Sequence, residues 1–509
     1  MKPRYPVASG LLLLVLGSLI LTGCPYGPFS TQRLDELHVS GTVTVNDPLY
    51  EDQAWYLEAI NAPQAWFFLQ TLESLFAVPG GNVIVMDTNF DLTHEDMGGV
   101  FGSGGFDFLR RSTALLAPKN DKSDGHGTHV AGLAGAVGGN GVGIAGAGFN
   151  LHDRRTTQII PLVVLDSDGD GNVGTVVEAL FYSADLALQR RNGSTPVRVV
   201  NMSLGSSSQS GANFFAEAVT AVANADVVMV AAAGNGKNGA RDYLDLPARL
   251  PEVISVGAVG KDCNGLFVHS PFSSYSAPNG TDKPELYLDV VAPGGEFCRT
   301  TGDQEKKSTL MSTVPFNQYR DIEGTSMAAP LVSAVASLIR SVNPSLSAVQ
   351  VRTILTETAR KVWQEDDHPH RVYPPDSDTT WDDWHPKYGY GMVDMERALR
   401  RAREVQGTGR TASTDYPIQK YVHPIPPWDA RGLQRIVALI DLSELELPDD
   451  LDHVSHLQAN IGVPVVSTLS DKLISITVPD GYSGQELLDT LNQLPGVRWA
   501  AQDQAVSLQ

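Results

Sequence analysis

Between residues 46 and 403, short, mostly apolar runs rich in β-branched residues alternate with helical patterns and Gly-rich loops. The runs are Val83–Met86, Ile159–Val164, Val197–Val200, Val227–Val230, Val253–Val256 and Leu288–Val291. A strand that is apolar at successive positions has no solvent face, so each run predicts a strand buried on both sides. The stretches Val176–Arg190 and Asn213–Ala225 between them are long enough for helices. Such strands separated by helices predict a mostly parallel sheet covered by helices on both faces, one large α/β domain over 46–403. Residues 404–430 interrupt the pattern with Thr, Pro and Gly, including Pro424-Ile425-Pro426-Pro427, and read as a linker. Beyond it, strands are expected at Ile436–Ile440, Val463–Ser467, Leu473–Val478 and Val497–Val506, with helices at Asp449–Ile461 and Ser483–Leu494. This is a βαββαβ order, a small two-layer α+β domain over 431–509.

Composition narrows the classes. Hydrophobic residues make up 42% of the 509 and charged ones 19%, which excludes disorder of the whole chain. The 37 basic and 58 acidic side chains leave a net charge of −21. A nucleic-acid binder needs basic surface to displace counterions, so no nucleic acid is expected as a partner. Three cysteines exclude a disulfide-stapled mini-fold and a multi-cysteine zinc protein. At the N-terminus, Lys2 and Arg4 precede an apolar run from Leu11 to Ile20, too short to span a bilayer. The run ends in Leu21-Thr22-Gly23-Cys24, which resembles the bacterial lipobox. That resemblance implies a lipoprotein signal peptide over 1–23, a Cys24 carrying diacylglycerol and an N-linked palmitate-type chain, and a tether over 24–45. The acyl chains would hold the protein on a membrane by apolar burial. Pro25 stands where lipoproteins kept at the inner membrane usually have Asp, so the resemblance favours the outer membrane or cell surface. In an exported protein Cys263 and Cys298 either form a disulfide or stay as two buried free thiols.

Four segments carry chemistry. Val83-Ile84-Val85-Met86-Asp87 puts a carboxylate where a buried strand ends. Asp124-Gly125-His126-Gly127-Thr128-His129 opens a helix on a histidine flanked by glycines. Ala231-Ala232-Ala233-Gly234-Asn235 ends a strand on an amide. Gly324-Thr325-Ser326-Met327-Ala328-Ala329-Pro330 leads into an apolar helix, with Pro330 expected in the first turn, where no intrahelical N–H bond is lost. A serine hydroxyl needs a base within hydrogen-bond reach, imidazole supplies one, and a carboxylate holds the imidazole in the useful tautomer. A helix start offers N–H groups and a positive dipole end to a developing oxyanion. In an open α/β sheet the loops at the carboxyl ends of the strands converge, so distant residues can meet there.

These motifs, in the order Asp, His, Ser, resemble those of the subtilisin-like serine proteases, the subtilases, over about residues 46–403. Weaker matches agree: Asn46–Tyr50 with Ile60–Trp66, Val200–Gly205 and Tyr388–Asp394. The resemblance implies a subtilisin-like fold and a serine endopeptidase acting on proteins or peptides. It makes Asp87 the orienting carboxylate, His126 the base, Ser326 the nucleophile and Asn235 an oxyanion donor. It also makes Ser203, Leu204 and Gly205 the backbone that pairs with an extended substrate. Asn89 departs from the family, which usually has Gly there, and is expected to adopt positive φ. No cofactor is required, but Asp96 matches a carboxylate that binds calcium in some subtilases, with Asn140 close to the other part of that site.

Alternatives stand beside these readings. The same groove without catalysis would make a silent, lipid-anchored peptide-binding protein. A zinc pair at His126 and His129 lacks the Glu of His-Glu-x-x-His, so no metal site is expected there. Asp166-Ser167-Asp168-Gly169-Asp170-Gly171 resembles the start of an EF-hand loop, but position twelve is Val177, which favours a Gly-rich turn between strand and helix. Finally, Asn460–Leu469 and Leu494–Ala500 resemble the propeptides that precede subtilase catalytic domains, an unrelated ferredoxin-like adaptor being the alternative. The propeptide reading implies intramolecular inhibition, with Ala505-Val506-Ser507-Leu508-Gln509 entering the substrate cleft.

Overall fold

The structure, a computed structural model, describes residues 40–73, 81–149, 157–191, 196–207, 212–236, 241–276, 288–295, 297–298, 306–362, 384–405, 435–440, 467–468, 473–478, 483–494, 497–502 and 505–508. The signal and Cys24, nearly all of the linker, the expected helix at 449–461 and Gln509 lie outside them. The chain forms two units, Met1–Ser40 and Gly41–Gln509, and every described residue but Ser40 belongs to the second.

The apolar runs form the expected strands: β1 (Asn82–Asp87), β3 (Gln158–Val163), β5 (Val197–Met202), β7 (Val228–Ala232), β8 (Val253–Lys261) and β10 (Val290–Pro293). With β2 (Phe106–Asp107) they lie in the order β10-β8-β7-β5-β1-β3-β2, every neighbour parallel. The short β9 (Phe267–His269) pairs antiparallel with β8. Alternation along β1 divides the core. Val83 and Val85 face the layer of α1 (Tyr50–Ala59), α2 (Ala62–Glu73), α3 (His126–Gly135), α6 (Thr325–Val342), α7 (Ala348–Thr358) and α8 (Met395–Glu404). Ile84 and Met86 face α4 (Val173–Arg190) and α5 (Ala212–Asn224). Two such cores are what a sheet buried on both faces demands.

Two small strand pairs and two short edge strands trim this body. The turn at Asp166–Gly171 runs into β4 (Asp170–Asn172), and β6 (Leu204–Gly205) follows β5 after Ser203. The Asp166 carboxylate accepts the N–H groups of Asp168 and Asp170, so it serves the turn, as the turn reading requires. Beyond β11 (Phe297–Cys298) and β12 (Lys306–Lys307), β13 (Leu310–Val314) and β14 (Gln318–Ile322) form a hairpin against α3. Ser312 and Thr313 donate to the carbonyls of His129 and Thr128 across that contact. Cys263 is disulfide-bonded.

In the C-terminal region, β15 (Arg435–Ile440), β16 (Ser467–Thr468), β17 (Leu473–Thr477) and β18 (Val497–Gln502) form an antiparallel sheet in the order β16-β17-β15-β18. Helix α9 (Gly484–Leu491) covers it with Leu487, Leu488 and Leu491 on Ile436, Ala438 and Ile476. The strand expected over Val497–Val506 is not continuous. It ends at Gln502, and β19 (Ala505–Leu508) leaves this sheet to pair with β4 and β6. Those two strands present facing edges one strand apart, and a third strand satisfies the backbone groups of both.

Candidate active site

Asp87 closes β1, and the carboxyl end of a central strand is where a doubly covered sheet opens a crevice. Its carboxylate is fully buried and accepts from His126 Nδ1 at 2.8 Å to Oδ1 and 3.0 Å to Oδ2. His126 is the first residue of α3, so the helix start fixes its backbone. Thr88 Oγ1 takes the Gly127 N–H at 3.1 Å, and a Cβ on Gly127 would stand 2.9 Å from the Asn89 carbonyl oxygen. Only glycine lets the α3 start come this close to the β1 end. Asn89 does not take positive φ, contrary to expectation. Its Nδ2 instead donates to Asp124 Oδ1 at 2.7 Å, tying the loop after β1 to the turn before α3.

Ser326 is the second residue of α6, after Gly324 at φ 150°, ψ 160°, a conformation that a side chain would strain. The first turn of the helix has N–H groups without intrahelical acceptors, directed at this end of the sheet. Ser326 Oγ donates to the Ser203 carbonyl at 2.9 Å, and Ser203 Oγ donates to the Ser326 carbonyl at 2.8 Å. The second bond corrects the reading of Pro330. Since α6 begins at Thr325, Pro330 lies in the second turn and does forgo an N–H bond to the Ser326 carbonyl. Ser203 Oγ supplies the missing donor. Asn201 Nδ2 in turn donates to Ser203 Oγ at 3.0 Å, and Ser333 Oγ, two turns along α6, donates to Asn201 Oδ1 at 2.8 Å. Asn201 and Ser333 thus position the Ser203–Ser326 pair. The spacing of Ser333 seven residues after Ser326, on one helix face, was the available signal.

Asn235 stands just beyond β7, beside the start of α6. Its Oδ1 accepts the Thr325 N–H at 3.1 Å and the Thr325 hydroxyl at 3.0 Å. These bonds fix the amide, leaving Nδ2 as its donor end. Asn235→Asp keeps the acceptor for Thr325 and loses the donor, so kcat for a peptide substrate is expected to fall by about 10²–10³ with the fold intact. Steady-state kinetics within tenfold of wild type would overturn this role.

His129, one turn into α3, is fully buried and its Nε2 donates to the carbonyls of Leu310 and Arg320, each at 3.0 Å. Burial, and next the neighbouring His126, push its imidazole down to about 3 from 6.5. Between those values the unfolded chain binds the proton and the folded chain does not, so His129 makes stability fall as pH falls below 6.5. His129→Gln offers an NH₂ to the same two carbonyls without a titrating group and should remove a slope on the order of 1 kcal/mol per pH unit. Urea unfolding of both proteins at about pH 6.5 and about pH 4.5 checks it; an equal loss in each would reject it.

The residues that the resemblance assigned to calcium do not fit a cation. Asp96 Oδ1 accepts Asn140 Nδ2 at 2.8 Å and Oδ2 accepts the Ile144 N–H at 2.7 Å. Asn140 Oδ1 accepts the Val142 N–H, which fixes that amide with its donor toward Asp96. The nearby Asp47 takes the N–H groups of Gly139, Asn140 and Gly141. The shortened loop thus faces both carboxylates with N–H donors, where a calcium site would present oxygens. Burial raises the Asp96 carboxyl to about 6.

Around Ser203, β6 and β4 hold β19 between them, with Ser507 opposite Gly205 and Leu508 opposite Leu204. Ser203, Leu204 and Gly205 therefore lie where an extended strand is bound, and the Ser203 carbonyl links that edge to Ser326.

The model of the subtilase family matches residues 80–391, more than half of the chain. Thermitase of Thermoactinomyces vulgaris is 32% identical over 319 residues, covering 63% of this chain and 92% of thermitase. Subtilisin DY of Bacillus licheniformis is 34% identical over 283 residues, covering 55% of this chain and 84% of that protein. Among solved structures, a protease of Pseudoalteromonas arctica superposes with a TM-score of 0.50 at 26% identity, over 71% of this chain and all of the other. The mostly parallel sheet, the helices on its two faces and these matches agree, and the chain belongs to the subtilase family as a subtilisin-like serine protease.

Proposed function

We propose that the chain is an exported, lipid-anchored serine endopeptidase that works through Asp87, His126 and Ser326. The observation that carries the reading is the buried Asp87–His126 pair at 2.8 Å, set at the end of β1 beside β5, after which Ser203 bonds to Ser326. In acylation, Ser326 Oγ bonds to the substrate carbonyl carbon while His126 Nε2 takes the hydroxyl proton. The oxyanion meets Asn235 Nδ2 and the first turn of α6. The C–N bond then breaks, the proton passes from His126 to the departing amine, and water hydrolyses the ester by the same relay. Asp87 keeps the Nδ1 proton and stabilises the imidazolium. The backbone of Ser203, Leu204 and Gly205 binds the substrate as an added strand.

Cys24 is the lipid attachment site in this reading, and it places the enzyme in the cell envelope at the outer membrane or surface. The C-terminal domain restrains the enzyme in cis. Mass spectrometry after a fluorophosphonate probe tests both the nucleophile and the anchor on one sample. Adduct on Ser326, absent from Ser326→Ala, and acyl mass on an N-terminal Cys24 are expected. An unlabelled Ser326 in the full chain and in a chain lacking residues 431–509 would favour the silent peptide-binding protein. An unmodified Cys24 would remove the anchor.

A further inference from the structure

We infer, on the peptidase reading above, that Arg241, held by Asp245, locks the backbone of Asn235 so that its amide Nδ2 stays aimed at the oxyanion. Both are positioning residues, acting through Asn235 rather than on the reacting atoms. The need for such a lock begins one residue earlier. Gly234 stands at φ +116°, where glycine has a freedom that other residues lack, so the turn out of β7 does not by itself fix how Asn235 leaves it. The Thr325 bonds to Oδ1 hold only the far end of the side chain. Arg241 holds the other end. Its Nη2 donates to the Asn235 carbonyl at 2.6 Å, and its Nη1 donates to Asp245 Oδ1 at 2.6 Å. Both arms of a planar fork are thus engaged in charge-assisted bonds, which fixes the guanidinium plane. The Asp245 N–H donates to the Ala233 carbonyl at 2.9 Å, which hangs the carboxylate on the residue just after β7. Ala233, Asp245, Arg241 and Asn235 therefore close a ring around Gly234. A Cβ on Gly234 would stand 2.7 Å from Asp245 Cγ, so the carboxylate fills the space that glycine leaves and braces the turn.

Stability alone gives no reason for this pair. Asp245 is fully buried, and among the described residues its Oδ2 has no hydrogen-bond partner. Burial raises its carboxyl to about 6, against the pull of Arg241. A buried carboxylate used on one oxygen, by an arginine whose side chain is 22% exposed, costs desolvation that an apolar pair would avoid. Such a cost is ordinary where a donor must be held in place before charge develops. The substrate edge does not depend on the two side chains, because Leu246 and Ser206 exchange backbone bonds at 2.9 and 3.0 Å. Loss of the pair should therefore appear in kcat rather than in KM.

Steady-state hydrolysis of a fluorogenic peptide by the full chain tests the lock, in a double-mutant cycle with Asn235→Asp. Arg241→Met keeps the apolar stem and removes both donors. It is expected to lower kcat by about tenfold to thirtyfold, part of what Asn235 contributes, with KM within about threefold of the parent. On top of Asn235→Asp it should cost less than about threefold more, because aim no longer matters once the donor is gone. Asp245→Leu should lose as much as Arg241→Met. Asp245→Asn keeps an oxygen for Arg241 Nη1 and should recover most of that loss. Should Arg241→Met strand the Asp245 charge and fail to fold, the uncharged pair Arg241→Met/Asp245→Asn takes its place in the cycle. Full additivity with Asn235→Asp, a loss confined to KM, or an unchanged kcat would each overturn the positioning role. A parent chain that binds the peptide without cleaving it would sink the peptidase reading, and this role with it.

Discussion

Ser326→Ala is expected to lower peptide hydrolysis by roughly 10⁴–10⁶-fold, leaving only what binding and the oxyanion donors contribute. The size of the effect follows from the step removed. Without Oγ no acyl ester forms, and water must attack a carbonyl from a site shaped for a side chain. The structural cost is small by comparison. The hydroxyl donates to the Ser203 carbonyl, and the reverse bond from Ser203 Oγ uses the Ser326 backbone and survives. Activity within tenfold of the parent would show that another group is the nucleophile.

Asp87→Asn is expected to cost about 10⁴-fold in kcat, mostly without loss of substrate binding. Asp87 Oδ1 already accepts the Thr88 N–H at 2.8 Å. An amide keeps its oxygen on that donor and turns its NH₂ toward His126 Nδ1. The imidazole then holds its proton on Nε2, and the lone pair that should take the serine proton is gone. KM near the parent value with a collapsed kcat is the expected signature, since the groove at β4 and β6 is untouched. A kcat within tenfold of the parent would assign the orientation of His126 to some other contact. The two substitutions fail at different points: one lacks the nucleophile, the other the means to activate it.

Much of this was legible along the chain. The six apolar runs became six parallel strands because β-branched residues at successive positions can be buried only between two layers. Asp87, His126, Asn235 and Ser326 could be singled out because each sits at a strand end or helix start whose local sequence is short and specific. Other expectations failed because they depended on what packs against a segment. Pro330 depended on where α6 begins, and the carbonyl it orphans is satisfied by a serine 123 residues away. Asn89 kept an ordinary backbone because Asp124 came within reach of its amide. The carboxylate at Asp96 suggested calcium until the loop at Gly139–Ile144 turned N–H donors onto it.

The last strand shows the division most plainly. The expectation ran one strand through Val497–Val506, although the polar Gln502-Asp503-Gln504 interrupts its apolar residues where the two strands part. Its second part left because β4 and β6, 300 or more residues earlier, held two open backbone edges and a glycine-floored pocket. The sequence by itself determined which segments would be strands and helices and which residues could do chemistry, because these follow from local periodicity and side-chain type. Only the tertiary structure decided which hydrogen-bond partners, burial and strand neighbours those residues acquired, because such contacts join residues far apart in the chain and exist only once the layers have packed.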